Sequence, residues 1–263
     1  MTEFVGTKTF IALQKSLLAR QDEFACNPVL SNGGRIMNIL DPEAYGWENI
    51  RAVAEQDRFV GLTMVDRDST LTRLQGLFGE TAEFPYWQVF TGMADSVVPT
   101  CASIVDAASL AEGWRLESHT HPDEATIAAV QALNAAVGVA PAPAYYLRGE
   151  ALPSALTCLY DHTDRMVACA IGTMRYHPQS KLAGWMFAGS VSVHPDHRRK
   201  RLGTYVNAAL LRDSHAALGW TTALEQAKAD NHGSVGMITN CGLTPMKDTV
   251  TVLVNLTGGY ITR

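Results

Sequence analysis

The chain has no apolar run long enough to span a bilayer, which excludes a helical membrane protein. Cysteine is scarce: Cys26, Cys101, Cys158, Cys169 and Cys241 are all there is in 263 residues. Their number is odd, their positions are scattered, and no pair has metal-ligand spacing. That excludes a disulfide scaffold or a zinc module and fits reduced, buried thiols in a cytoplasmic protein. The opening residues, Met1-Thr2-Glu3-Phe4, lack the basic region and cleavage site of a signal peptide. Basic residues are in deficit, 21 against 26 acidic, for a net charge of −5. Nucleic acid is therefore not expected as a general partner. Charged residues make up 18% of the chain and hydrophobic ones 47%, so a sizeable core can be buried, in one large domain or two small ones.

Against that acidic background, residues 191–204 stand apart. Val191-Ser192-Val193 reads as the end of a buried strand, and Pro195 marks a turn. Arg198, Arg199, Lys200 and Arg201 form a basic cluster. Leu202, Val206, Ala209, Leu210 and Ala217 then recur at helical spacing. A helix start has backbone N–H groups without intrahelical partners and a partial positive charge, so anions settle there. Gly203 has no Cβ and lets the backbone approach a bulky ligand. The order of parts predicts a phosphate site.

This stretch resembles the acetyl-CoA-binding motif of the GNAT (GCN5-related N-acetyltransferase) superfamily. There an apolar strand ends in Val-x-Pro, and Arg/Gln-x-x-Gly-x-Gly/Ala opens a helix. The motif falls on Val193, Pro195, Arg198 and Gly203. Arg201 stands where the first glycine is expected. The exchange either narrows the loop or adds a charge near the phosphates; so close to a helix start, the arginine is expected to carry no φ penalty. Downstream, Thr221 to Ala229 reads as a strand, His232 to Asn240 as a short helix ending at Gly242, and Thr249 to Asn255 as a closing strand. Asn231 matches the family asparagine that bonds the pantetheine arm.

Upstream, Trp114 to Thr120 reads as a strand. A helix follows, with Pro122 in its first turn, Asp123 and Glu124 near its positive end, and Ile127, Val130, Leu133 and Val137 on one face. Tyr145 to Leu152 suits a short helix. Ala155 to Tyr160 and Met166 to Tyr176 read as a hairpin, and Lys181 to Val193 holds the next strand. The resulting order β-α-α-β-β-β-α-β-α-β is that of the family. The resemblance implies an α/β GNAT fold, a central mixed sheet flanked by helices, over residues 112–263.

Residues 1–111 say less. Thr9 to Arg20, a stretch opened by Asp41 as N-cap and running to about Glu55, Thr70 to Phe78, and Pro99 to Leu110 are predicted helices. Phe59 to Val65 and Tyr86 to Phe90 are predicted strands. Asn32-Gly33-Gly34 is a turn, not a phosphate loop. The region reads as an N-terminal α/β extension. It resembles the degenerate half of tandem GNAT proteins, with a helical extension on the catalytic domain as the alternative.

The resemblance implies an acyl-CoA-dependent N-acyltransferase. It would move an acetyl group from acetyl-CoA to an amine by direct attack in a ternary complex. The acceptor would be a small-molecule or peptide amine, with no metal, membrane or nucleic acid involved, and a homodimer is allowed. Val191, Ser192, Val193, Arg198, Arg199, Lys200, Arg201, Leu202, Gly203, Thr204 and Asn231 would bind CoA. Two family features are missing. No carboxylate lies among Trp185, Met186, Phe187, Ala188 and Gly189, where many members carry a glutamate. Ile238 stands where many carry a tyrosine facing the CoA sulfur. Glu225 is the best remaining carboxylate for a general base; a surface glutamate on a strand is the structural alternative. Tyr146 and Tyr205 follow behind. The missing groups also keep open a noncatalytic acyl-CoA-binding or sensing protein of the same fold. His119 and His121 have the His-x-His spacing of metal-dependent hydrolases, but a strand end leading into a helix explains them as well. His194 and His197 are expected to face solvent, and Tyr145-Tyr146 to edge the acceptor pocket or pack in the core.

Overall fold

The structure is a computed structural model and describes residues 3–257. The chain starts with α1 (Lys8–Ala19), capped by Thr7, and α2 (Gln21–Cys26). Two short strands follow, β1 (Leu30–Asn32) and β2 (Met37–Ile39), joined through the turn expected at Gly33 and Gly34. Next come α3 (Pro42–Tyr45), α4 (Trp47–Asp57), β3 (Phe59–Asp66), α5 (Arg67–Phe78), β4 (Tyr86–Met93) and α6 (Ala94–Asp106). The remainder runs β5 (Arg115–His119), α7 (Glu124–Ala136), α8 (Ala144–Leu147), β6 (Ser154–Tyr160), β7 (Met166–Thr173), β8 (Trp185–Val193), α9 (Leu202–Leu218), β9 (Thr222–Ala227), α10 (His232–Asn240) and β10 (Thr244–Asn255).

Local chemistry explains the departures from expectation. The helix expected from Asp41 to Glu55 breaks in two because Gly46 lies at φ 93°. That backbone suits glycine and ends a helical turn. The helix expected to open at Pro99 begins five residues earlier and carries Pro99 inside. Proline there deprives the Asp95 carbonyl of its donor. Both residues are exposed, so water can satisfy that group. Strands β1 and β2 have three residues each, all buried, too short to show alternation.

All ten strands form one mixed sheet, in the order β1-β2-β3-β10-β4-β9-β8-β7-β6-β5. Its centre has an internal pseudo-dyad. From β10 one arm runs β3-β2-β1, and from β4 the other runs β9-β8-β7. Both arms pair antiparallel, then parallel, then antiparallel. The connections match as well. Helices α3 and α4 join β2 to β3 as α9 joins β8 to β9, and α5 joins β3 to β4 as α10 joins β9 to β10. The last strand of each arm is exchanged: β10 lies between β3 and β4, and β4 lies between β10 and β9. The N-terminal region is thus an α/β unit of the same topology as the centre of the C-terminal one.

Apolar cores hold both faces. Met186, Ala188, Ala223 and Ala227 pack with Val206, Leu210 and Leu211 of α9 and Val97 of α6. Leu62, Val250, Val252 and Val254 pack with Ile50 of α4 and Leu74 of α5. Ile127 and Val130 of α7 and Tyr145 and Tyr146 of α8 cover β6 and β7 on the remaining side.

Because the arms exchange strands, unfolding one removes a neighbour from the other. Calorimetry should show a single cooperative transition. Leu62→Ala, in the N-terminal core, should lower it as a whole by about 2–5 kcal/mol. Two transitions, with only one moved by the substitution, would contradict the interlocked arrangement.

Candidate active site

Strands β8 and β9 are parallel neighbours for only three residue pairs, Trp185–Thr222, Met186–Ala223 and Phe187–Leu224. Beyond Phe187 they part. Strand β8 stays on β7 up to Val193–Ala168, but its register shifts around Ser190, which lies at φ 51°. Such a bulge re-aims the strand. The Val191-Ser192-Val193 edge therefore faces an opening instead of a partner. That opening is a cavity of about 680 Å³ that runs between the parted strands. On its floor the Ser192 hydroxyl donates to Asn134 Oδ1 at 2.7 Å, which fixes this strand end to α7.

At one end of the cavity the chain turns through Pro195–His197 into α9. No side chain caps α9, so its first N–H groups are left without a partner of that kind. Arg199 and Arg201 sit in left-handed backbone at φ 62° and 59°. Turns of this type converge amides on anions. Arg201 was expected to carry no φ penalty so close to a helix start. Arg201 occupies a glycine-like conformation, so the arginine carries a φ penalty of roughly 1–2 kcal/mol. Val191, Ser192, Val193, Arg198, Arg199, Leu202, Gly203, Thr204, Asn231 and Glu225 all line the cavity. Lys200 and Arg201 belong to the same turn but lie exposed outside the lining. A Cβ on Gly203 would meet Met237, Val193 and Val191 at 3.5–3.9 Å, ordinary contact, so the glycine is there for space in the cleft and not for the fold. Asn231 caps α10 by accepting from the Ser234 N–H at 3.1 Å, which leaves its amide nitrogen for a ligand. His194 and His197 are half-buried, not solvent-facing. His197 packs edge-on against Trp114 and lines the cavity. Burial, Lys200 and Arg165 lower its pKa.

Glu225 is not a surface residue: it is 1% exposed and lines the cavity just past the point where the strands part. It accepts a hydrogen bond from Asn207 Nδ2 of α9 at 2.8 Å. Burial pushes its carboxyl up to about 7, and the Asn207 bond opposes that rise. Tyr205 and Tyr146 do not line the cavity. Tyr205, on α9, is buried in the core, and the Tyr146 hydroxyl bonds Thr173. Ile238 presents an apolar side chain to the cavity. His119 is on β5 at the far edge of the sheet, where its Nε2 lies 3.4 Å from Glu117. No group of three or more metal-ligating side chains comes together among the described residues.

The acetyltransferase (GNAT) family model matches residues 119–243, the stretch that builds this cleft. The chain carries a GNAT domain. Solved structures agree on the fold. A GCN5-related N-acetyltransferase from Kribbella flavida superposes with a TM-score of 0.59 at 14% identity, covering 94% of this chain and 96% of that one. A tandem GNAT protein from the clavulanic acid biosynthesis pathway gives 0.55 at 15% identity, over 87% of this chain and 78% of that one. A GCN5-related N-acetyltransferase-like protein from Streptococcus suis gives 0.55 at 11% identity, over 85% and 82%. Among curated proteins, none matches the sequence.

The two arms differ where a GNAT domain holds its cofactor. In the N-terminal arm the loop after β2 reads Leu40-Asp41-Pro42-Glu43. Asp41 takes the Ala44 N–H at 3.0 Å, and Asp66, in the place of Asn231, takes the Ser69 N–H at 3.0 Å. Carboxylates sit at the starts of α3 and α5, each taking one N–H, so phosphate is repelled there. The start of α4 is uncapped too, but it follows Gly46 with no basic cluster around it, unlike the start of α9.

No local motif marks the cavity's other wall. Gly33, Arg35, Asn38 and Trp87 reach it from the N-terminal arm, and Arg175 and Phe187 from the GNAT domain. Their positions are brought together only by the exchanged strands.

Two substitutions test the cleft. Gly203→Asp should fold normally and lose CoA binding in calorimetric titration, because it places a carboxylate between Val191, Val193 and Met237. Retained parental affinity would show that the ligand passes elsewhere. Arg201→Gly should raise stability by roughly 0.5–1 kcal/mol, since the strain relieved exceeds the entropy that glycine loses on folding. It should still bind CoA.

Proposed function

We propose that the protein is an acetyl-CoA-dependent N-acetyltransferase, acting on an amine by direct attack in a ternary complex. The observation that carries this reading is the uncapped start of α9, with four basic residues around it, at the mouth of two parted parallel strands. The pyrophosphate takes the N–H groups of residues 202–204 and the charges of Arg198 and Arg199, with Lys200 and Arg201 on the outer side. The pantetheine arm lies along Val191-Ser192-Val193 as an added strand would, with Asn231 donating to it. A backbone N–H on that edge polarises the thioester carbonyl and receives the developing oxyanion. Residues 112–263 hold the acyl donor, and residues 1–111 close the acceptor side. All five cysteines are free, which suits a cytoplasmic enzyme.

Glu225 takes the proton from the attacking amine, directly or through water. A carboxyl with a pKa of about 7 is partly ionised at neutral pH and is a stronger base than an exposed glutamate. The amine nitrogen attacks the thioester carbonyl, the tetrahedral intermediate collapses, and CoA leaves as the thiolate and is protonated. Holding amine and thioester together supplies much of the rate.

An amine screen with acetyl-CoA, read by thiol release, tests the activity. CoA binding with no turnover of any amine would point instead to an acyl-CoA-binding protein. Turnover should rise with pH through about 7 and level off. Glu225→Gln should lower it by ~10²–10⁴-fold and remove that acid limb, with CoA affinity nearly unchanged. The same variant has a signature in stability. The folded pKa is raised, so the parent loses stability as pH rises from the unfolded value of 4.5 towards about 7. Glu225→Gln removes that loss, and its stability relative to the parent should increase between pH 5 and pH 8. An unchanged acid limb would return Glu225 to a structural role.

A further inference from the structure

Away from the basic turn that holds Arg198 and Arg199, the cavity is lined by two more arginines, Arg35 and Arg175, with no acid between them. Arg175 follows β7, is 8% exposed, and lines the cavity. Its guanidinium lies over the Phe187 ring at 3.7 Å from the centroid, and Phe187 is the last β8 residue paired before the strands part. Its Nε has no hydrogen-bond partner. Arg35, from the turn between β1 and β2, lines the same cavity and donates to the Ala140 carbonyl. Burial pulls its pKa down, and Arg175 acts in the same direction, so the two cations feel each other. Among the described residues, neither forms an ion pair with a carboxylate. The other groups that act on Arg175 are the neutral phenols of Tyr176 and Tyr146.

Arginine does not deprotonate in proteins, so this charge is present at every working pH. A buried cation is stable only when paired or hydrogen-bonded. Stacking on Phe187 orients the guanidinium fork and leaves the unpartnered Nε edge for a planar anion. The phosphates of CoA belong at the other end, at the start of α9. The cavity also offers uncharged acceptors: Gln226 Oε1 and Thr251 Oγ1 are buried, line it, and have no partner. These suit the N–H groups of an amine.

We propose that the acceptor is a small amine that also carries a carboxylate, an amino-acid-type substrate, with Arg175 as the specificity-determining residue and Arg35 beside it. The proposal rests on the acyltransferase reading above. In the reaction the carboxylate takes no chemical part. It fixes the molecule on Arg175 while the amine points towards the parted strands.

The test is a rate comparison with acetyl-CoA on the standard amino acids, each beside its carboxamide, using the parent, Arg175→Met and Arg175→Lys. At least one amino acid should be turned over with a kcat/KM at least about 30-fold above that of its carboxamide, the loss typical of leaving a buried charge unpaired. The ratio should collapse towards one in Arg175→Met and be partly kept in Arg175→Lys, which retains the charge without the fork. Melting of each variant checks that it folds. Carboxamides turned over as well as acids, or a ratio that survives Arg175→Met, would overturn the proposal. If no amine is turned over, the acyltransferase reading fails, and melting of the CoA-saturated protein decides the anion site. A rise with amino acids but not carboxamides, absent in Arg175→Met, supports it; no such rise overturns it.

Discussion

Everything about the site depends on one broken ladder. Parallel strands β8 and β9 pair through Phe187 and Leu224 and no further. Past that point each strand is held by its outer neighbour, β8 by β7 and β9 by β4, so the gap costs no unsupported strand. The gap exposes the edge at residues 191–193, opens a cavity through the sheet, and places Glu225 on its lining. A fully zipped pair would leave the basic turn as a surface feature with nothing behind it.

The start of α9 shows how little separates the proposed anion site from its counterpart in the other arm. Both arms place helices after parallel strands, so both have helix starts at the right places. In one, Asp41 and Asp66 put a carboxylate at the starts of α3 and α5, each taking one free amide. In the other, α9 is left uncapped and Arg199 and Arg201 accept left-handed backbone. The strain and the missing cap lower stability locally, and a bound diphosphate would recover it. Their concentration in one turn is what the proposed diphosphate site would explain.

The GNAT domain was legible because its signals are local. A basic cluster between an apolar strand and a helical stripe, an Asn before a short helix, and Gly242 at its end each sit within a few residues. Helix α10 starts and stops where its Asn cap and glycine predict. Glu225 was found by elimination, but only packing could show that it is buried against Asn207. The strained state of Arg201 was misread, because a helix N-cap can be left-handed and sequence does not say which. Nothing local marks Arg35, Trp87 or Arg175 as sharing one cavity. Their meeting follows from the exchange of β4 and β10, a long-range event. The same exchange explains why residues 1–111 read as an ambiguous extension.

The most direct measurement is the shift in melting temperature produced by CoA compared with pantetheine, which has the same arm and no phosphates. A ligand that binds only the folded state stabilises it by about 2.7 kcal/mol at a hundred times its Kd. The α9 site predicts a large upward shift with CoA and a much smaller one with pantetheine at equal concentration. Equal shifts from the two ligands would contradict a phosphate site at the start of α9, and with it the functional account.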